Sequence, residues 1–157
     1  MMLDANNKPV TILLIDDDPD CRMLIRDAIS ECKVTNAVLE AANGKQAIEL
    51  LRQRLASEDG EMPGLIYLDI EMPHMDGIAT LEQLKADPTL RHIPVVMMTG
   101  VSDEAQMRKA AALGANSYTL KPANAEQFLR TVLASTNYWL AIHQYPEHRL
   151  PQELCRR

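Results

Sequence analysis

Apolar and polar positions fall along this chain in blocks. Val10 to Ile15 is an almost wholly apolar run that stops at three adjacent carboxylates, Asp16-Asp17-Asp18. A run this short, ending in charge, is the pattern of a strand covered on both faces. Comparable runs span Leu65 to Leu68, ending at Asp69, and Ile93 to Met98, ending at Thr99-Gly100. Ala37 to Ala41 is a weaker one, and Asn116 to Leu120 completes a set of five.

Between these runs the period changes to that of a helix. Pro19 can open a helix at its first turn, and Met23, Leu24, Ala28 and Ile29 follow at helical spacing, with Cys21, Ile25 and Cys32 beside them. Asn43-Gly44 leads into a second helix striped by Ala47, Ile48, Leu51 and Leu55, and a third lies around Ile78 to Lys85. Ser102 reads as an N-cap, with Asp103 and Glu104 favourable in the first turn. That fourth helix runs to Leu113, where Gly114 suits a left-handed stop, and a fifth spans Ala125 to about Ile142. The polar segment Ser57 to Gly64 reads as a loop. This strict (βα)5 alternation predicts an α/β fold with a parallel sheet and helices on both faces.

The chain has 157 residues, 46% of them hydrophobic, which suits one folded domain with a sizeable core. Net charge is −6, and no basic cluster exceeds Arg156-Arg157, so no nucleic-acid partner is expected. No apolar run approaches a membrane span and no signal-peptide core is present, so no membrane partner is expected. The three cysteines, Cys21, Cys32 and Cys155, show no metal-ligand spacing. On one helix Cys21 and Cys32 would lie about 16 Å apart, too far for a disulfide, and a reducing cytoplasm is the simplest home. The expected organisation is an N-terminal extension over 1–9, a domain over 10–142, and a tail over 143–157 too short to be an output domain.

The strongest polar signals all fall at strand ends, where open parallel sheets gather function. Asp16 and Asp17 follow the first strand, Asp69 the third, Thr99 the fourth and Lys121 the fifth. Carboxylates 4 Å apart repel by roughly 4 kcal/mol at an effective dielectric near 20, so the acidic group calls for a compensating cation. Hard carboxylate oxygens suit Mg²⁺. A hydroxyl and an ammonium nearby suit phosphoryl oxygens, and an aspartate between them can accept phosphorus as an acyl phosphate.

With these residues placed, the chain resembles the receiver domain of two-component response regulators, a flavodoxin-like doubly wound fold of strand order 2-1-3-4-5. The acidic pair in LLIDDD, the segment YLDIEMPHMDG (Tyr67 to Gly77), the threonine of VVMMTG and the Lys-Pro of SYTLKPA carry the resemblance. It implies a phosphoacceptor at Asp69, with Mg²⁺ held by Asp16, Asp17, Asp69 and the backbone carbonyl of Glu71. It implies that Thr99 and Lys121 hold the phosphoryl oxygens, that Tyr118 is the switch aromatic, and that the bond before Pro122 is cis. The insertion around Arg54 to Pro63, the run Leu113 to Tyr118 and the tail's Tyr138-Trp139-Leu140 resemble stand-alone regulators paired with phytochrome-type histidine kinases. The implied partners are such a sensor kinase, a downstream protein or phosphotransfer partner, and a second copy of the chain. The implied role is a phosphorylation switch with only intrinsic phosphorylation and dephosphorylation chemistry, not an enzyme.

Competing readings explain less. Asp16-Asp17-Asp18 after a strand also fits a haloacid-dehalogenase-type phosphatase with Asp16 as nucleophile, but that leaves Asp69 and its loop without a role. A flavodoxin-like cofactor site would want Ser, Thr and Gly where this loop is acidic. A degenerate receiver used as a scaffold would not need all five polar residues. Asp18 reads as a solvated neighbour, His74 as an exposed loop residue, and the methionines as adaptable packing.

Overall fold

The computed structural model describes residues 10–31, 37–58, 60–72 and 75–139. Strands and helices alternate as β1 (Ile12–Ile15), α1 (Pro19–Glu31), β2 (Val38–Ala41), α2 (Gly44–Ala56), β3 (Leu65–Asp69), α3 (Gly77–Ala86), β4 (Val95–Thr99), α4 (Glu104–Ala112), β5 (Ser117–Leu120) and α5 (Ala125–Asn137). All four strand pairings are parallel, and the sheet order is β2-β1-β3-β4-β5, as the resemblance implies.

The core divides by strand parity. Ile12, Leu14, Leu65, Tyr67, Val96 and Met98 face one side and meet Cys21, Ile25 and Ile29 of α1 with Phe128 and Val132 of α5. Leu13, Ile15, Ile66, Leu68, Val95 and Met97 face the other and meet α2, α3 and α4 through residues such as Leu51, Leu81 and Ala110. Every residue of β1, β3 and β4 is buried, because helices cover both faces of the central strands. Each buried aliphatic side chain contributes about 1.5–3 kcal/mol. One polar tie crosses the first core: the hydroxyls of Tyr67 and Thr136 lie 2.7 Å apart, both buried.

Several local expectations change. The buried face of α1 is Cys21, Ile25, Ala28 and Ile29, while Met23 is 45% exposed. Two residues from both Cys21 and Ile25, Met23 lies about 200° around the helix from each. Leu55, in the last turn of α2, is 43% exposed. The N-cap of α4 is Asp103, whose carboxylate accepts from the N–H groups of Ala105 and Gln106; the cap falls one residue after Ser102. No cis peptide bond occurs among the described residues, so the bond before Pro122 is trans, the isomer Xaa–Pro bonds favour by about 0.5–1 kcal/mol. Cys32, Pro73, His74, the last turn expected to reach Ile142, and the segments 1–9 and 143–157 lie outside the described residues.

Register sets the rim. Ile15 pairs with Leu68, Asp69 with Met98, and Thr99 with Leu120. Asp16, Asp69, Thr99 and Lys121 therefore emerge from one edge of the sheet on neighbouring strands. Gly77 opens α3 directly behind Asp69: its N–H donates to the Ile70 carbonyl at 2.9 Å. A Cβ there would lie 2.2 Å from the Asp69 carbonyl oxygen and 2.6 Å from Ile70 Cα. Gly114, with φ +100°, ends the α4 segment as expected.

Gly77→Ala is expected to cost about 1–3 kcal/mol through overpacking against backbone, lowering the urea midpoint. A Cβ at Gly100 meets nothing within 4 Å. Gly100→Ala is therefore expected to leave stability unchanged or raise it by up to about 1 kcal/mol, with the midpoint moving accordingly.

Candidate functional site

Asp16, the first residue past β1, has each of its polar groups engaged. Its N–H donates to the Ala41 carbonyl at 3.1 Å, and its carbonyl accepts from Arg22 Nη1 at 2.5 Å. Oδ1 accepts the Asp18 N–H and Oδ2 the Lys121 ammonium, each at 2.9 Å. The Asp16 side chain is buried, whereas Asp17 is exposed at the mouth of the site. Asp69, the last residue of β3, is buried opposite them. One oxygen from each of Asp16, Asp17 and Asp69 comes within 4.8 Å of the others.

Lys121 spans the two buried acids, with Nζ 2.9 Å from Asp16 Oδ2 and 3.0 Å from Asp69 Oδ1. Burial opposes the ammonium charge, but the hydrogen bond and attraction of Asp16, then the attraction of Asp69, hold its pKa above the ordinary lysine value. Asp69 moves less comfortably. Burial, reinforced by Asp16 and Asp17 and opposed by Lys121, pushes its carboxyl up to about 6. Beneath the pair, burial and a hydrogen bond to Asp16 push the Cys21 thiol up to about 12.

Thr99, fully buried at the end of β4, donates alternately to the Glu71 carboxylate at 3.1 Å and the Val101 carbonyl at 3.2 Å. Its hydroxyl also accepts the Val101 N–H. Tyr118 on β5 packs partly buried against the second core. Its hydroxyl oxygen is buried without a well-formed hydrogen bond, and the Thr99 side chain is the polar group that bears on it. Burial, then the charge of Asp103, raises the phenol pKa.

The structure thus gathers Asp16, Asp17, Asp69 and Lys121 into one cluster, joins Thr99 to Glu71 by a hydrogen bond, and leaves the buried Tyr118 hydroxyl outside both. Sequence reasoning missed three participants: Cys21 beneath Asp16, the Arg22 contact to the Asp16 carbonyl, and the Glu71 side chain on Thr99. A charged Glu40 between Leu39 and Ala41 in β2 was the one available signal for Arg22, whose Nε it receives at 3.1 Å. The all-oxygen carboxylate set, two members buried and one open to solvent, fits a hard divalent cation. Octahedral Mg²⁺ at 2.0–2.1 Å spans oxygens up to roughly 4 Å apart and keeps waters on its remaining positions.

A doubly wound sheet with this cluster on its rim defines a phosphoacceptor class of signalling domain. The response regulator receiver domain family matches residues 12–133, and the chain belongs to it. It is similar to the probable methanogenesis regulatory protein FilR2 of Methanothrix harundinacea, 34% identical over 92% of this chain and 92% of that protein. It is also similar to the response regulator Rcp1 of Synechocystis sp., 29% identical over 88% of this chain and 95% of Rcp1. The Mn²⁺-bound form of Rcp1 superposes with TM-score 0.80, covering 88% of this chain and 99% of that one at 28% identity. The phosphorylated cyanobacterial phytochrome response regulator RcpA superposes with TM-score 0.81 at 32% identity, covering 87% of this chain and 98% of that one. Nothing among these relatives supports the phosphatase reading with Asp16 as nucleophile.

The Asp69 pKa has a thermodynamic consequence. With a folded value near 6 and an unfolded value near 4, the folded chain binds this proton more tightly, so stability falls as pH rises through that window. Asp69→Asn removes the penalty. In metal-free buffer the variant is expected to exceed the parent by up to about 3 kcal/mol in urea unfolding near pH 7.5, with the gap closing towards pH 4.

Proposed function

We propose that this chain is a phosphorylation switch in which Asp69 accepts a phosphoryl group from a histidine kinase. The observation that carries the reading is the approach of the Asp16, Asp17 and Asp69 oxygens within 4.8 Å, with Lys121 bonded to two of them. Asp16, Asp17, Asp69 and the backbone carbonyl of Glu71 are the Mg²⁺ ligands in this reading; the bound ion supplies positive charge against the phosphoryl oxygens. A carboxylate oxygen of Asp69 attacks phosphorus as the phosphorus–nitrogen bond of a phosphohistidine breaks, and the electron pair returns to the imidazole. Lys121 exchanges part of its contact with Asp69 for a phosphoryl oxygen. Thr99 donates to a second oxygen once its hydroxyl leaves Glu71.

The same movement supplies the switch. The Tyr118 hydroxyl makes no well-formed hydrogen bond but is under the influence of the Thr99 side chain, so it responds when Thr99 shifts, and Ala110 is the single buried residue of α4. The face formed by α4, β5 and α5 can therefore rearrange at small cost. It exposes Met107 and Leu120, apolar surface suited to a downstream protein or a second copy of the chain. The likeness to the phytochrome response regulator RcpA supports a phytochrome-type kinase as donor. A cytoplasmic site of action suits the free thiol of Cys21.

Incubation with acetyl phosphate and Mg²⁺ is expected to give a retarded band on a phosphate-affinity gel and an altered elution volume on a sizing column. Asp69→Ala is expected to give neither, and chelation of the metal to abolish both. Labelling that persists in Asp69→Ala overturns the assignment. Millimolar Mg²⁺ is also expected to raise the melting temperature by native-state binding. The rise should be larger near pH 7.5 than near pH 5, where the Asp69 proton competes with the metal; a pH-independent rise contradicts that coupling.

A further inference from the structure

Asp16 is held in place by a residue outside the cluster. Arg22, in the first turns of α1, turns its guanidinium back so that Nη1 donates to the Asp16 carbonyl at 2.5 Å. The same guanidinium donates from Nε to Glu40 Oε1 on β2 at 3.1 Å. Arg26, one turn further along α1, bonds the other oxygen of Glu40. The Arg22 side chain is 17% exposed and that of Glu40 30%, so the bridge is partly shielded from water. Three parts of the fold thus converge on one peptide: the residue just past β1 carries its carbonyl, α1 supplies the donor and β2 anchors that donor.

We infer that Arg22, braced by Glu40, is a positioning residue for the cation site: it fixes the peptide between Asp16 and Asp17 and with it the angle at which both carboxylates are presented. This rests on the reading of that cluster as a Mg²⁺ site. A planar guanidinium can serve the carbonyl and the carboxylate at once through two fixed N–H directions, which a lysine ammonium cannot reproduce. Groups that orient metal ligands typically govern affinity by ten- to a hundredfold. Charge alone predicts the opposite sign. A guanidinium near the site repels Mg²⁺, so deleting it for electrostatic reasons strengthens binding, whereas deleting a brace weakens it.

The test is calorimetric titration of the full chain with Mg²⁺ alone, for the parent, Arg22→Met, Arg22→Lys, Glu40→Gln and the double variant of Arg22→Met with Glu40→Gln, with melting temperatures recorded without metal. Both Arg22 variants are expected to bind Mg²⁺ about tenfold more weakly than the parent. Glu40→Gln is expected to weaken binding in the parent and to add nothing in the Arg22→Met background. Acetyl phosphate labelling of Arg22→Lys should be slow at limiting Mg²⁺ and approach the parent rate at saturation. Tighter binding by Arg22→Met with an unchanged Arg22→Lys shows that only charge acts and overturns the inference. So does a lowered melting temperature with unchanged affinity, the result of a merely structural contact. Absence of Mg²⁺ binding by the parent itself overturns the site reading, and the brace with it.

Discussion

One ammonium group set between two buried carboxylates is the interaction on which the rest of this molecule depends. Lys121 touches Asp16 and Asp69 at 2.9 and 3.0 Å; without it two negative charges would face each other in a poorly solvated rim. Yet the compensation is incomplete. Asp17 adds a third carboxylate within reach of the other two, so three formal negative charges meet one positive charge. Burial first, and then the neighbouring charges of Asp16 and Asp17 against that of Lys121, raise the pKa of Asp69. A site two charges short of neutrality, built only from oxygens, has the electrostatic demand that a divalent cation satisfies.

The sheet makes this arrangement unavoidable. Parallel pairing in the order β2-β1-β3-β4-β5 brings the ends of β1, β3, β4 and β5 side by side, and apolar burial on both faces of the three central strands keeps them there. Asp16 and Asp69 thus stand at the ends of strands buried on both faces. Thr99 and Tyr118 stand where that burial gives way to the sheet edge. They link the rim to β5, an edge strand, and to α4, which buries only Ala110. Deeply buried acids beside a sparsely packed α4 suit the switch proposed above.

Legibility in the sequence followed burial. The runs Val10 to Ile15, Leu65 to Leu68 and Ile93 to Met98 are plain because both faces of the strands within them are covered, leaving no polar alternation to blur them. β2, partly exposed and carrying Glu40, was fainter for the opposite reason. The α1 stripe was misassigned at Met23 because a helix with small buried residues such as Cys21 and Ala28 offers apolar candidates on more than one face. Ser102 and Asp103 are both good caps, and only the observed backbone decides between them. Asp16, Asp17, Asp69, Thr99 and Lys121 could be named because strand ends mark them. What each touches could not. The bond from Lys121 to Asp16 joins residues 105 positions apart, and the Arg22–Glu40 pair, 18 apart, meets only because β2 lies beside β1. The Glu71 side chain on Thr99 needs the β3–β4 pairing in the same way.

The most direct test of the electrostatic account is a carbon-13 NMR titration of the Asp69 carboxyl, run without metal and again at saturating Mg²⁺. The account expects a midpoint near pH 6 without metal and a marked fall when the cation enters. A midpoint in the ordinary carboxylate range near pH 4, or one that Mg²⁺ leaves unmoved, contradicts it.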